Sequence, residues 1–237
     1  MVMPAYNEEA NIARAVERAD AALAATGLEC ELIVVNDGSG DGTRQTLHGL
    51  QSQFPRLVVL ELDTNRGYGG ALRAGFAAAR HDWIFQSDSD NQFHYGELTR
   101  LLDVAPGHDM VVGFRKPRRD PLVRRFNGWG WNLLIRLLFG YVARDIDCAF
   151  RLFRRALLER VPLTSDGAMI STELLVGARA RGFVISETSV THLPRTGGQP
   201  TGANLEVIAR AFADLMSYHA ELNNQLRAER IGLGVSH

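Results

Sequence analysis

Short, largely apolar runs recur along the chain, and stretches of helical character lie between them. The runs are 1–3, 32–35, 57–62, 83–85 and 110–112. An apolar run without polar alternation marks a strand covered on both faces. Ile12, Val16, Ala19 and Leu23 form a helical stripe closing at Gly27, with Asn7 expected as its N-cap and Glu8 and Glu9 in its first turn. Further helices are expected over 43–53, 68–80 and 96–104. This alternation predicts a three-layer α/β domain with a mostly parallel central sheet, and it puts ligands beside the loops that leave the carboxyl ends of the strands. The first run is shorter than an ordinary strand of about five residues, which leaves room for residues upstream.

Beyond Phe114 the pattern changes. A basic, proline-containing stretch, 115–125, leads into an aromatic helix expected over 127–138. A helix over 168–181, a strand over 183–190 and a last helix over 204–227 follow, and 231–237 reads as a frayed tail. With 46% apolar residues in 237, the chain can bury a sizeable core. Lys and Arg number 26 against 27 Asp and Glu, so overall positive charge cannot drive nucleic-acid binding and no nucleic-acid partner is expected. Cys30 and Cys148 form no paired motif, which fits a reducing compartment and neither a disulfide framework nor a zinc site. No basic and apolar leader is visible at the start, and no run of about 18 apolar residues occurs. The segment 129–141, interrupted by Asn132, Arg136 and Gly140, suits lying on a membrane and not crossing one. The expected location is therefore the cytoplasm, at the inner face of the membrane.

Three polar motifs end these strands. Asp37-Gly38-Ser39-Gly40-Asp41-Gly42 follows the second, where glycines permit a tight turn and a carboxylate can accept bonds from a base or ribose. An EF-hand reading fails, because His48 stands where the twelfth-position carboxylate is required. Gly67-Tyr68-Gly69-Gly70 opens a helix after the third strand. A dinucleotide fingerprint belongs after the first strand and needs an acidic residue at the end of the next, so these glycines are read as letting the helix start pack against a nucleotide pocket. Asp88-Ser89-Asp90 closes the fourth strand, with Asn91 and Gln92 beyond. Two carboxylates and an amide are hard oxygen ligands suited to magnesium or manganese alongside a diphosphate, although a solvated helix-capping turn has the same composition.

Taken together, Pro4-Ala5-Tyr6-Asn7-Glu8, Asp37 with Ser39, and Asp88/Asp90 resemble glycosyltransferase family 2, and most of the chain takes part in the likeness. The resemblance implies a Rossmann-like glycosyltransferase-A fold, with Pro4, Ala5, Tyr6, Glu8, Asp37, Ser39 and Asp88 at the nucleotide. Asp88-Ser89-Asp90-Asn91-Gln92, Gly113-Phe114-Arg115 and the segment 144–155 look like dolichol- and polyprenyl-phosphate sugar synthases within the family. On that likeness Asp88, Asp90 and Gln92 hold Mg2+ or Mn2+, and Arg115, Arg124, Arg125 and Arg195 meet the acceptor phosphate. The chain departs from the pattern at Asn127-Gly128-Trp129, where a serine is common, and at Ala149, where a glycine is. One catalytic domain over 1–227 is implied, with a nucleotide half over 1–114, an acceptor half over 115–227 and a tail from 228.

The implied reaction is inverting transfer from a GDP- or UDP-linked sugar to a polyprenyl phosphate, with Asp90, Arg115 and Glu173 as catalytic positions. Glu173, in Ser171-Thr172-Glu173, is the candidate base for a hydroxyl acceptor or, equally, an ordinary first-turn helix residue. A phosphate monoester, with a second pKa of about 6, needs no base at neutral pH. Six cations between 115 and 125, beside Trp129 and Trp131, suit a peripheral contact with anionic lipid. Two alternatives stand beside this reading: a related enzyme acting on a saccharide or small-molecule hydroxyl through Glu173, and a non-catalytic nucleotide-sugar binding module.

Overall fold

The computed structural model describes residues 1–116, 122–194 and 205–234, the side chains of 122–127, 205–211, 230 and 232–234 excepted. Seven strands form one sheet: β1 (Val2–Ala5), β2 (Leu32–Asn36), β3 (Leu57–Glu61), β4 (Trp83–Gln86), β5 (Met110–Arg115), β6 (Arg151–Arg154) and β7 (Ile185–Val190), in the order β3-β2-β1-β4-β6-β5-β7. The pairs β1/β2, β2/β3, β1/β4 and β5/β7 are parallel, and only β6 runs against its neighbours. The mostly parallel sheet expected from the apolar runs is present.

Side chains alternate faces along a strand, and each face has its own core. Met3, Leu32, Val34, Phe85 and Val111 point to one side with helices α1 (Ile12–Ala24), α2 (Thr43–Gln51) and α4 (Leu98–Val104). Val2, Ile33, Val35, Ile84 and Val112 point to the other, against α3 (Gly67–Ala78), α5 (Leu122–Phe139), α6 (Ile170–Ala180) and α7 (Leu205–Gly234). The result is a three-layer sandwich in which the strands are covered on both faces.

Local expectations change in four places. Helix α1 is capped at Asn11, not Asn7, which adopts a left-handed φ of 54° and turns its side chain to the second strand's loop. Residues 151–154, not expected as a strand, form β6. Helix α7 continues to Gly234, past the expected tail boundary at 228. Gly67 and Gly69, expected to let the helix start pack against a nucleotide pocket, have a loop as their near neighbour: a Cβ would lie 2.4 Å from the Asp166 carbonyl oxygen on Gly67 and 2.2 Å from the Ser165 carbonyl oxygen on Gly69, so these two admit the loop 165–167 against the helix start.

Candidate active site

Strands β1, β2 and β4 run parallel and end side by side, and their trailing loops are bonded directly to one another. The Asp37 amide donates to the Ala5 carbonyl at 2.9 Å, and Ser89 Oγ donates to the Pro4 carbonyl at 2.8 Å. The Asn7 amide donates to Ser39 Oγ at 3.0 Å, while the Gly40 amide donates to Asn7 Oδ1 at 2.9 Å. The Glu8 amide donates to Thr43 Oγ1 at 2.9 Å. Pro4, Ala5, Tyr6, Glu8, Asp37, Ser39, Asp88 and Asp90 are thus gathered at one sheet edge, as their strand positions imply. Tyr6 is 49% exposed there, an open aromatic face beside the crevice. Asp37 is buried and accepts from the Arg66 amide at 2.7 Å, which staples β2 to the loop before α3. Gly38, at φ +67°, passes so close that a Cβ would sit 2.7 Å from the Asn65 amide nitrogen.

The aspartate pair sits over a polar layer. Asp88 Oδ1 accepts from the Tyr68 hydroxyl at 2.9 Å, and the Tyr68 hydroxyl oxygen in turn accepts from Gln86 Nε2 at 3.1 Å. Burial and the neighbouring Asp90 charge push the Asp88 carboxyl up to about 7, against the Tyr68 bond and the positive charges of Arg151 and Arg115. Arg151 is fully buried on β6, opposite Gln86. Its Nη2 donates to the Ile146 carbonyl, whereas Arg151 Nε and Nη1, Gln86 Oε1 and Ser87 Oγ have no hydrogen-bond partner among the described residues. Asp90 Oδ1 accepts from the Gln92 amide at 3.0 Å, and Gln92 Nε2 donates to the Leu193 carbonyl at 3.3 Å. Only an oxygen of that amide is suited to a cation, so the ligand atom would be Gln92 Oε1.

Two expected site residues are engaged elsewhere. Arg115, at the end of β5, forms a two-pronged ion pair with Asp145: Nε to Oδ2 at 2.7 Å and Nη2 to Oδ1 at 2.8 Å, with both side chains nearly buried. An acceptor phosphate would therefore meet a cation already held by a carboxylate. Glu173, expected as a candidate base or equally as an ordinary first-turn helix residue, lies in the first turn of α6. It is buried, and its carboxylate accepts from the Thr164 and Ser165 amides and from Thr164 Oγ1 at 2.9–3.1 Å. These bonds hold the loop that packs on Gly69 and leave the carboxylate committed to structure. The side chains of Arg124 and Arg125, and the whole of Arg195, lie outside the described residues.

Tyr68, Tyr95, Arg18, Asp145 and Arg151, outside the expected site set, build the site's underside. Tyr68 stands inside the glycine motif, Tyr95 lies seven residues beyond Asp88, and Asp145 and Arg151 belong to the segment 144–155 of the family resemblance. Arg18 approaches from 73 residues away along the chain, where local pattern carries no signal.

Comparison with known proteins agrees with this geometry. The family model described as Glycosyl transferase family 2 matches residues 1–161, from β1 through β6. An undecaprenyl-phosphate 4-deoxy-4-formamido-L-arabinose transferase of Pseudomonas paraeruginosa is 31% identical over 217 residues, 90% of this chain and 62% of that protein. A dodecaprenyl-phosphate galacturonate synthase of Rhizobium johnstonii is 30% identical over 206 residues, 84% of this chain and 60% of that protein. The chain thus spans about three fifths of the length of the curated relatives it matches. Among solved structures, glucosyl-3-phosphoglycerate synthase from Mycobacterium tuberculosis with phosphoglyceric acid superposes with a TM-score of 0.70 at 22% identity, covering 91% of this chain and 77% of that one. Its complex with Mn2+ and uridine-diphosphate-glucose gives 0.69 at 23%, covering 93% and 77%. At such identity the likeness establishes the fold, glycosyltransferase-A. With the family model matched over more than half its length, the chain belongs to glycosyl transferase family 2.

Proposed function

We propose that this chain carries the catalytic site of a glycosyltransferase moving a sugar from a nucleoside-diphosphate sugar to a polyprenyl phosphate, assisted by a divalent cation. The observation that carries the reading is the pairing of an aspartate site at the crevice with a Glu173 carboxylate engaged by the Thr164 and Ser165 amides and the Thr164 hydroxyl. A hydroxyl acceptor needs a base within reach. A lipid phosphate already presents an anionic oxygen at neutral pH. The acceptor named in the relatives' descriptions, undecaprenyl or dodecaprenyl phosphate, is of this kind.

Asp88 and Asp90 suit Mg2+ or Mn2+. They are hard oxygen donors, mutually repelling and partly desolvated, so a cation between them relieves the strain that raises the Asp88 carboxyl. Such an ion supplies Lewis-acid neutralisation of the departing diphosphate, on the order of several kcal/mol. Glucosyl-3-phosphoglycerate synthase, which shares the fold, was crystallised with Mn2+ and UDP and with Mg2+ and UDP. The joined loops of β1 and β2 would orient the nucleoside. Arg115, preset by Asp145, would stand beside the acceptor phosphate with Arg124, Arg125 and Arg195.

Peripheral membrane contact fits the same acceptor. Trp129, Leu133 and Leu137, four residues apart along α5, are 60%, 41% and 75% exposed. Phe212 and Met216, also four apart, are exposed on α7, which meets α5 through Phe139 and Tyr218. Among the described residues no helix is long and apolar enough to cross a membrane.

The test is transfer from a panel of UDP- and GDP-linked sugars to undecaprenyl phosphate in vesicles containing anionic lipid, with Mn2+ or EDTA, for wild type and Glu173→Gln. Metal-dependent product from wild type, with substantial turnover kept by the variant, is expected. Product only with a hydroxyl acceptor such as phosphoglyceric acid, abolished by Glu173→Gln, would overturn the proposal.

A further inference from the structure

The loop carrying Asp88, Asp90 and Gln92 leaves β4 with little regular backbone pairing, yet its shape must hold two carboxylates close together. Asn91, between the second aspartate and Gln92, has a left-handed φ of 61°, one of two such non-glycine residues among those described. That conformation is secured from behind by α1. Arg18 Nη1 donates to Asn91 Oδ1 at 3.1 Å and to the Asn91 carbonyl at 3.4 Å, while Nη2 donates to the Phe93 carbonyl at 2.9 Å. Asn91 Nδ2 donates to the Asn11 carbonyl at 3.1 Å. The Arg18 guanidinium also lies 5.3 Å from the centre of the Tyr95 ring, and the Tyr95 hydroxyl donates to the Asp88 carbonyl at 2.8 Å. A single cation thus ties both ends of the loop to a rigid helix.

We infer that Arg18 is a positioning residue for the aspartate loop: its guanidinium fixes the left-handed turn at Asn91 and, through Tyr95, the Asp88 end, so that both carboxylates are set for a divalent cation before one arrives. The inference rests on the proposed metal role of Asp88 and Asp90. A planar fork with several donors suits three acceptors and an aromatic face; an ammonium group does not. Outer residues that orient metal ligands typically change affinity by about 10–100-fold when removed. Simple electrostatics predicts the opposite sign, because deleting a nearby cation should tighten binding of another.

Wild type, Arg18→Ala and Arg18→Lys are compared by two measurements. The first, amide hydrogen exchange in EDTA, needs no metal. Both variants should lose protection over residues 90–94 while α1 and β4 keep theirs, with Lys intermediate; unchanged protection of 90–94 in both overturns the inference. If Arg18→Ala loses protection throughout the fold, Arg18→Lys decides by the same criterion. The second measurement is Mn2+ binding in the presence of UDP or GDP, followed by the resonance signal of free Mn2+. A weakening of about 10–100-fold in Arg18→Ala is expected, and unchanged or tighter binding overturns the inference. Wild type that binds no Mn2+ defeats the metal proposal itself, and the exchange result then still decides whether Arg18 shapes the loop.

Discussion

Replacing Asp88 by Asn should stabilise the fold at high pH while removing function. The Asp88 carboxyl is raised from its ordinary 3.8 to about 7 by burial and by Asp90. A carboxyl raised on folding contributes stability at low pH, and the contribution is lost as pH climbs from about 4 through 7. About three pK units at roughly 1.4 kcal/mol each set an upper limit near 4 kcal/mol at pH 8. Because Asp88 is only half-buried, solvent and relaxation reduce the recoverable part to about 1–2 kcal/mol. Asn keeps an oxygen that can accept from Tyr68, so the hydrogen bond is preserved while the repulsion from Asp90 disappears. At about 2–4 °C per kcal/mol for a chain of this size, the Tm of Asp88→Asn in EDTA should rise by about 2–8 °C at pH 8. The gain should fade towards pH 5. Thermal melts of both proteins from pH 5 to 8 check this. A lower Tm at pH 8, or a difference independent of pH, would refute the electrostatic reasoning.

Glu173→Ala removes the acceptor of the Thr164 and Ser165 amides and of Thr164 Oγ1, at about 0.5–1.5 kcal/mol for each bond, and should lower Tm by several degrees in a melt, far more than Glu173→Gln. Gly69→Ala drives a Cβ into the Ser165 carbonyl and should destabilise, whereas Gly49→Ala, with nothing within 4 Å in α2, should stabilise by about 0.5–1 kcal/mol; urea titration of both distinguishes a packing role from helix propensity. Burial pushes the Cys148 thiol up to about 12, so under a ten-thousandth is thiolate at pH 8 and only half-buried Cys30 should react with an aromatic disulfide reagent in the native state, both reacting in denaturant. Equal rates for the two thiols in the native protein would contradict that burial.

Strands whose residues are apolar on both faces were legible because burial on both sides leaves no alternation, as at Leu32–Asn36, where every residue is buried. Strand β6 was not, since Arg-Leu-Phe-Arg is four residues bounded by cations. It is a strand only because β4 and β5 leave an antiparallel slot between them. The carboxylates of the site were legible from their positions at strand ends. What surrounds them was not: the partner of Arg115 lies 30 residues away, and Glu173 looks the same in sequence whether it faces a crevice or a backbone loop. Asn7 carried a true capping composition, yet tertiary bonds to Gly40 and Ser39 took it out of the helix.

The central claim is that Asp88 and Asp90 join a divalent cation to the diphosphate of a nucleotide sugar. Thermal shift with UDP, GDP and their sugars, in Mn2+ and in EDTA, for wild type and Asp90→Asn, tests it most directly. A ligand at a hundred times its Kd stabilises by about 2.7 kcal/mol, or about 5–11 °C for a chain of this size. That shift is predicted for at least one nucleotide with wild type in Mn2+, and it should vanish in EDTA and in Asp90→Asn. Shifts of equal size with and without the metal, or none with any nucleotide, would contradict the account.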